Sequence, residues 1–279
     1  MYNLIVADPP WAFSDKLSMS KVKRGAEAQY KGTLSLQDIK DLPVKYIAAE
    51  NAVLALWVPS SMLKDGLETM EAWGFNFKQT HIWVKTKKEP LKGLLKIIGK
   101  KWLGLLNKKD LTEVLEDFDI SEILAFGLGR LFRQTHEICL IGTRGNVYDK
   151  LENKSQRSVH FGPVTKHSEK PEDLQDMLDK MFPSFEKKIE LFARRDRIGY
   201  DCFGNECKST YGQDIRYCLW NMIMENKDIL MNYQEKGLYS HYTNKMIPVK
   251  KDNFITFTES EDYVKEQIEK YKPSENINT

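Results

Sequence analysis

Cysteine is scarce: four residues in 279, at positions 139, 202, 207 and 218. That is too few for a disulfide framework in a chain this long. Cys202 and Cys207 lie near each other, yet no second Cys/His pair stands at metal-ligand spacing. No metal site is expected, and the thiols are read as reduced. Long apolar runs are missing too, and so is a secretory leader pattern. The expectation is a cytoplasmic protein with no membrane partner. No GxGxxG follows the first apolar run, which argues against a dinucleotide oxidoreductase. Charge of one sign is also lacking, because 42 Lys and Arg against 40 Asp and Glu leave a net charge of +2. No global field steers this chain to nucleic acid, so any such contact must come from local basic patches.

What is present is enough apolar material for a full core: 41% of residues are hydrophobic. The stretch that organises the rest is Ala7-Asp8-Pro9-Pro10-Trp11. It follows an apolar run, Leu4 to Ala7, that reads as a buried strand. Two prolines end that strand at once, since neither has an N–H for a ladder. A carboxylate, two stiff peptide units and an indole are thereby presented together at a strand end, where open α/β sheets bind ligands. Such a cluster suits an aromatic amine, whose lone pair is delocalised into its ring. Asp8 and the carbonyl of Pro9 can each accept one amine hydrogen, which frees the lone pair on one face. Trp11 offers a flat surface on which a splayed-out base can stack. The plainer alternative is a Pro-Pro turn with a capping Asp and a core Trp.

Strand and helix patterns then alternate. Residues 14–29 form a polar loop with four basic residues, either a flap over the site or a solvated loop, and Tyr30 closes it. Ser35 to Asp38 reads as a capping box opening a short helix that Pro43 stops. Ala52 to Val58 is a continuous apolar strand. A helix capped by Ser60 or Ser61 should turn Met62, Leu63, Leu67, Met70 and Trp73 inward and end at Gly74. Phe75 to Val84 is the next strand. This alternation predicts an α/β fold with a mostly parallel twisted sheet and helices on both faces.

Residues 87–126 form an insertion. Its first helix sets Leu91, Leu94, Leu95, Ile98, Trp102, Leu105 and Leu106 among eight lysines, and a more acidic helix follows. Three readings stand open: a solvated lysine face, a grip on a nucleic-acid backbone through Lys92, Lys96 and Lys100, or a membrane-surface helix. Arg130, Arg133 and Arg157 are further phosphate-contact candidates. Glu137 to Ile141 is a strand, and residues 150–166 are read as a loop. Ser168 should cap a helix to about Met181, with Lys170-Pro171 in its first turn. Strands at Lys188 to Phe192 and Tyr200 to Phe203 follow. From Cys207 onward two helical segments, from Ile215 and from Glu261, form an extension. The expected organisation is thus 1–206, with its insertion, and 207–279 packed on it.

The order and spacing of these pieces resemble the MT-A70 family of adenine methyltransferases, over about Leu4 to Glu206. The resemblance rests on Asp8-Pro9-Pro10-Trp11, Tyr30-Lys31-Gly32-Thr33-Leu34, Leu56-Trp57-Val58 and Ile82-Trp83-Val84-Lys85-Thr86. It continues through His136 to Gly142, His167-Ser168-Glu169-Lys170-Pro171 and Lys188 to Arg194, and ends at Gly204-Asn205-Glu206. It implies a Rossmann-like class I methyltransferase fold in the permuted, β-class order, with the catalytic motif before the donor-binding strand. It implies S-adenosylmethionine as cofactor and methylation of the 6-amino group of adenine in nucleic acid. DNA is favoured over RNA because the chain is compact and carries no RNA-binding module, as in a bacterial or phage modifier. By resemblance, Asp8, Pro9, Pro10 and Trp11 are catalytic, and Trp11 and Tyr30 clamp the base. Asp8, Lys170, Phe192, Arg194, Arg197, Asn205 and Glu206 hold the donor. The alternatives are an RNA adenosine methyltransferase and a non-catalytic subunit that binds nucleic acid or a partner. A homodimer, or a heterodimer with a related subunit, fits the same resemblance.

Overall fold

A computed structural model describes residues 1–12, 34–90, 92, 99, 120–127, 131–165, 169–231 and 257–273. Tyr30, Lys96, Lys100, Arg130 and Ser168, together with nearly all of the basic helix, lie outside them. The core is a seven-stranded sheet in the order β5-β3-β4-β2-β1-β6-β7. The strands are β1 (Tyr2–Ala7), β2 (Ala48–Val58), β3 (Asn76–Thr86), β4 (His136–Arg144), β5 (Val159–Pro163), β6 (Lys188–Leu191) and β7 (Asp201–Phe203). β1 pairs in parallel with β2 and β6, as β6 does with β7 and β3 with β5. Only β4 runs against its neighbours, β2 and β3. Because of that reversal, the C-terminal ends of six strands and the N-terminal end of β4 share one rim of the sheet.

The central strands β1 and β2 are apolar over residues 4–7 and 52–58 because both faces are covered there. Ile5 and Ala7 of β1, with Leu54, Leu56 and Val58 of β2, belong to one core. Leu4 and Val6, with Val53, Ala55 and Trp57, belong to the other. The first face is covered by α1 (Leu36–Lys40), α2 (Val44–Ile47), α3 (Leu63–Ala72), α5 (Ile215–Glu225) and α6 (Phe257–Tyr271). The second is covered by α4 (Asp173–Met181) through Leu174 and Leu178, with Phe182 and Phe185 beyond it. The two C-terminal helices pack edge to face through Trp220 and Tyr263, with ring centroids 5.8 Å apart. Arg216 of α5 pairs with Asp38 of α1 at 3.0 Å and stacks over Tyr271 of α6 at 4.2 Å, so it joins the two C-terminal helices to each other and to the body.

Several local expectations need correction. α1 does open on the Ser35–Asp38 capping box. α3, however, has no serine cap: Ser60–Met62 form a 3-10 turn, and Met62 stands at the N-cap. Met70 and Trp73 are buried as expected, but Leu63 and Leu67 are exposed, and Gly66 and Thr69 complete the buried face. Gly66 decides this, since a Cβ there would lie 2.6 Å from Val58 Cγ2, so the helix can approach the sheet only on that side. α4 starts at Asp173, which leaves Lys170-Pro171 in the segment before the helix. Residues 159–163, read as loop, form the edge strand β5, whose Pro163 needs no ladder N–H there. The four cysteines are buried and free.

Candidate active site

Asp8 stands just past the end of β1, its backbone N–H donating to the Leu191 carbonyl of β6 at 3.3 Å. Its carboxylate meets Lys170 Nζ at 2.8 Å. Lys170 also reaches Glu137 at 3.1 Å, and Glu137 in turn pairs with Lys85. The result is a chain of alternating charges across four rim positions: after β1, before α4, on β4 and on β3. Burial by itself would lower the Lys170 pKa, but Asp8 and Glu137 outweigh it and hold the ammonium above its ordinary range. Glu137 is pushed upward by burial, yet Lys170 and Lys85 together keep it below the usual carboxylate range. Asp8 goes the other way: burial raises it, against the pull of Lys170. Of the two carboxylates, Asp8 is therefore the stronger proton acceptor.

A cleft opens beside this chain, lined by Val6, Asp8, Trp57, Lys170, Glu190, Phe192 and Arg194, among others, with about 420 Å³ of empty space including the part open to solvent. Lys170 Nζ sits 5.8 Å above the Trp57 ring centroid. Phe192 leaves β6 with φ +62°, the only non-glycine residue in that region among those described. A bulky side chain adopts this conformation only where its surroundings impose it, and such positions cluster at ligand sites. Glu190, held by Gln175 Nε2 at 3.1 Å, is raised by burial, which Gln175 and Arg195 oppose.

Of the residues expected from the sequence, the cleft gathers Asp8, Lys170, Phe192 and Arg194. Glu206 is tied to it through Arg194 at 2.9 Å. Asn205 lies at the start of the turn after β7, its carbonyl accepting from Gly212 N–H at 3.4 Å. Trp11 does not offer a stacking face: it is 4% exposed, and its indole N–H donates to the Trp57 carbonyl at 2.8 Å. The Pro9 carbonyl accepts the Trp11 N–H at 2.8 Å, leaving one lone-pair direction for a ligand. Arg197 is absent from the cleft lining. It clamps the loop after β6 onto α4 through Glu172 at 2.8 Å, Asp176 at 2.5 Å and Asp179 at 3.3 Å. Arg157 is exposed, with Nη1 donating to the Ser155 carbonyl at 3.0 Å. Lys92 pairs with Glu89 at 2.6 Å on the surface.

Glu137, Glu190, Trp57 and Arg195 were missed by sequence reasoning. The two acids had a readable signal. Glu137 adjoins the apolar run at 138–141 and Glu190 stands between Ile189 and Leu191, and a carboxylate set among buried strand residues requires a partner.

The MT-A70 family pattern matches residues 2–104 and 108–206, so it covers the whole rim just described. The chain belongs to the MT-A70 family. It is similar to "Type II methyltransferase M.MunI" of Mycoplasma sp, with 26% identity covering 74% of this chain and 77% of that protein. It is also similar to "N(6)-adenosine-methyltransferase MT-A70-like" of Arabidopsis thaliana, at 24% identity over 74% of this chain. The human "N(6)-adenosine-methyltransferase catalytic subunit METTL3" matches at 23% identity over 71% of this chain. This chain spans only about a quarter of those two longer relatives, 24% and 26% respectively. As an MT-A70 protein it is a methyltransferase, and the matched residues include Asp8-Pro9-Pro10-Trp11.

Proposed function

We propose that this MT-A70 protein transfers the methyl group of S-adenosylmethionine to the 6-amino group of adenine in DNA. The observation that carries the reading is the Asp8 carboxylate, poised at the strand end between Lys170 and the strained Phe192 in an open cleft. The cleft's chemistry suits the donor: carboxylates for an ammonium and ribose hydroxyls, cations for a carboxylate, and aromatic faces for a flat base. Lys170 and Arg194 would hold the donor's carboxylate end, and Glu206 and Asn205 its ribose and adenine. When bound, the donor supplies an activated methyl group on a sulfonium. The protein therefore needs no nucleophile of its own.

Its residues orient and polarise. Asp8 accepts one hydrogen of the amine and the free lone pair of the Pro9 carbonyl accepts the other, so the nitrogen's own lone pair points at the methyl carbon. As the nitrogen becomes positive, the adjacent carboxylate stabilises it and is basic enough to take up its proton. Proline at positions 9 and 10 fixes the carbonyl before the substrate arrives. DNA is favoured over RNA because the type II methyltransferase relative is matched over most of both chains, whereas the adenosine methyltransferases extend far beyond this one.

The test is calorimetry with S-adenosylmethionine, followed by transfer of labelled methyl to duplex DNA, single-stranded DNA and RNA in parallel. The expected outcome is donor binding and label in the 6-amino group of adenine in DNA. Donor binding with label only in RNA would reassign the substrate. Donor binding with transfer to none of the three would favour a non-catalytic subunit.

A further inference from the structure

Two of the most exposed large apolar side chains among the described residues stand side by side on the active-site rim. Leu131 is 93% exposed and Phe132 87%, with Phe126 nearby at 74%. Their setting is built rather than loose. A Cβ on Gly127 would sit 2.3 Å from the Gln134 carbonyl, so only glycine allows the chain at 127 to close against 134. The Arg133 guanidinium stacks on the Phe126 ring at 4.7 Å. Gln134 Nε2 donates to the His136 carbonyl at 2.8 Å. Lys85 grips both approaches: its N–H donates to the Thr135 carbonyl at 2.7 Å and its carbonyl accepts from Ala125 N–H at 2.8 Å. The same Lys85 pairs with Glu137, and Glu137 with Lys170. The apolar tip is therefore anchored on the charge chain that reaches Asp8.

Water is a poor environment for such a tip, and the chemistry at its foot says what covers it. An adenine inside a duplex keeps its 6-amino group paired and stacked, so a residue at the bottom of a cleft cannot reach it until the base leaves the helix. The vacated space must then be filled, and apolar side chains inserted at a base step do this in other DNA-bending proteins. Arg133 at the root of the tip supplies positive charge to meet the flanking phosphates.

We propose that Leu131 and Phe132 form a wedge that enters the base stack of duplex DNA and holds it open while the target adenine occupies the Asp8 cleft. This rests on the adenine methyltransferase reading above and adds the residues that separate duplex from single-stranded substrate. Both side chains are nearly free of protein contacts, so truncating them costs the fold little.

The experiment uses the full chain and an oligonucleotide carrying the site mapped from methylated genomic DNA. Initial rates of the Leu131→Ala/Phe132→Ala variant are compared on three substrates: the matched duplex, the same strand alone, and a duplex with a mismatch at the target adenine. The matched-duplex rate should drop about ten- to a hundredfold. The single strand and the mismatched duplex should stay within about twofold of wild type, because their target base leaves the stack at little cost. S-adenosylmethionine affinity and thermal melting should not move. Phe132→Tyr, which keeps the ring, should retain the duplex rate. Equal losses on all three substrates, or an unchanged matched-duplex rate, would overturn the wedge. So would a change in oligomeric mass with duplex activity intact, since the tip would then be a protein interface. If the wild type transfers no methyl group to any DNA, the underlying function fails instead.

Discussion

The sheet carries two buried polar clusters of opposite design. At the rim, Asp8, Lys170, Glu137 and Lys85 alternate in sign, and each charge has an opposite neighbour. Further down β3 from Lys85, His81 meets His160 of β5 at 2.7 Å with rings 4.9 Å apart, and His160 Nε2 is buried without a partner among the described residues. Burial acts on both clusters. In the first, pairing keeps the ions charged. In the second, burial lowers both imidazoles against a weaker pull from Asp173, and His160 lowers His81 further, to about 4. Burial without a partner removes charge; burial with one stores it where substrate can use it.

The largest test of this contrast removes the working charge. Asp8→Ala should cost about a thousandfold in methyl transfer with the fold retained, since the amine loses its ionised acceptor. A variant that folds and keeps more than about a tenth of the rate would end that assignment. The wild-type rate should fall with acid, because the ionised form is the active one. Since burial raises Asp8, that fall should begin above the ordinary carboxylate range, as a pH–rate profile at saturating donor would show.

The next test breaks the chain at its centre. Lys170→Ala leaves two carboxylates facing each other and should destabilise the protein by about 2–3 kcal/mol, less than a fully buried pair because these groups are partly exposed. Adding Glu137→Gln should restore part of that in urea unfolding. No recovery would mean that the two acids do not share the lysine's charge.

The smallest effect belongs to the histidines. A depressed folded-state pKa means the unfolded chain binds more protons between about pH 6.5 and 4. Stability is therefore full above that window and declines as pH falls through it. His81→Gln should flatten the slope between pH 7 and 4.5. An identical slope in the variant would place the acid sensitivity elsewhere.

How much was legible in advance differs by type of feature. The Asp8 strand end was readable because two prolines after an apolar run leave the chain few options. Lys170 and Phe192 were readable only through the family resemblance. Arg197 was assigned to the donor by resemblance, but it faces Glu172 at the N-cap of α4 and Asp176 and Asp179 on the same side of that helix. Trp11 has the side chain for stacking, yet the core claims it through the Trp57 carbonyl.

Taken by itself, the sequence determined what short-range chemistry dictates. It set the alternation of strands and helices, the capping box at Ser35 and the end of β1 at a carboxylate before two prolines. Only the tertiary structure decided what depends on residues far apart meeting. The reversal of β4 carries Glu137 to the rim, and Gly66 lets α3 sit close against Val58 of β2. Lys170 joins Asp8 across 162 positions of chain. An ion pair's sign can be read from a sequence, but its partner is chosen by the crossover connections that bring strand ends together.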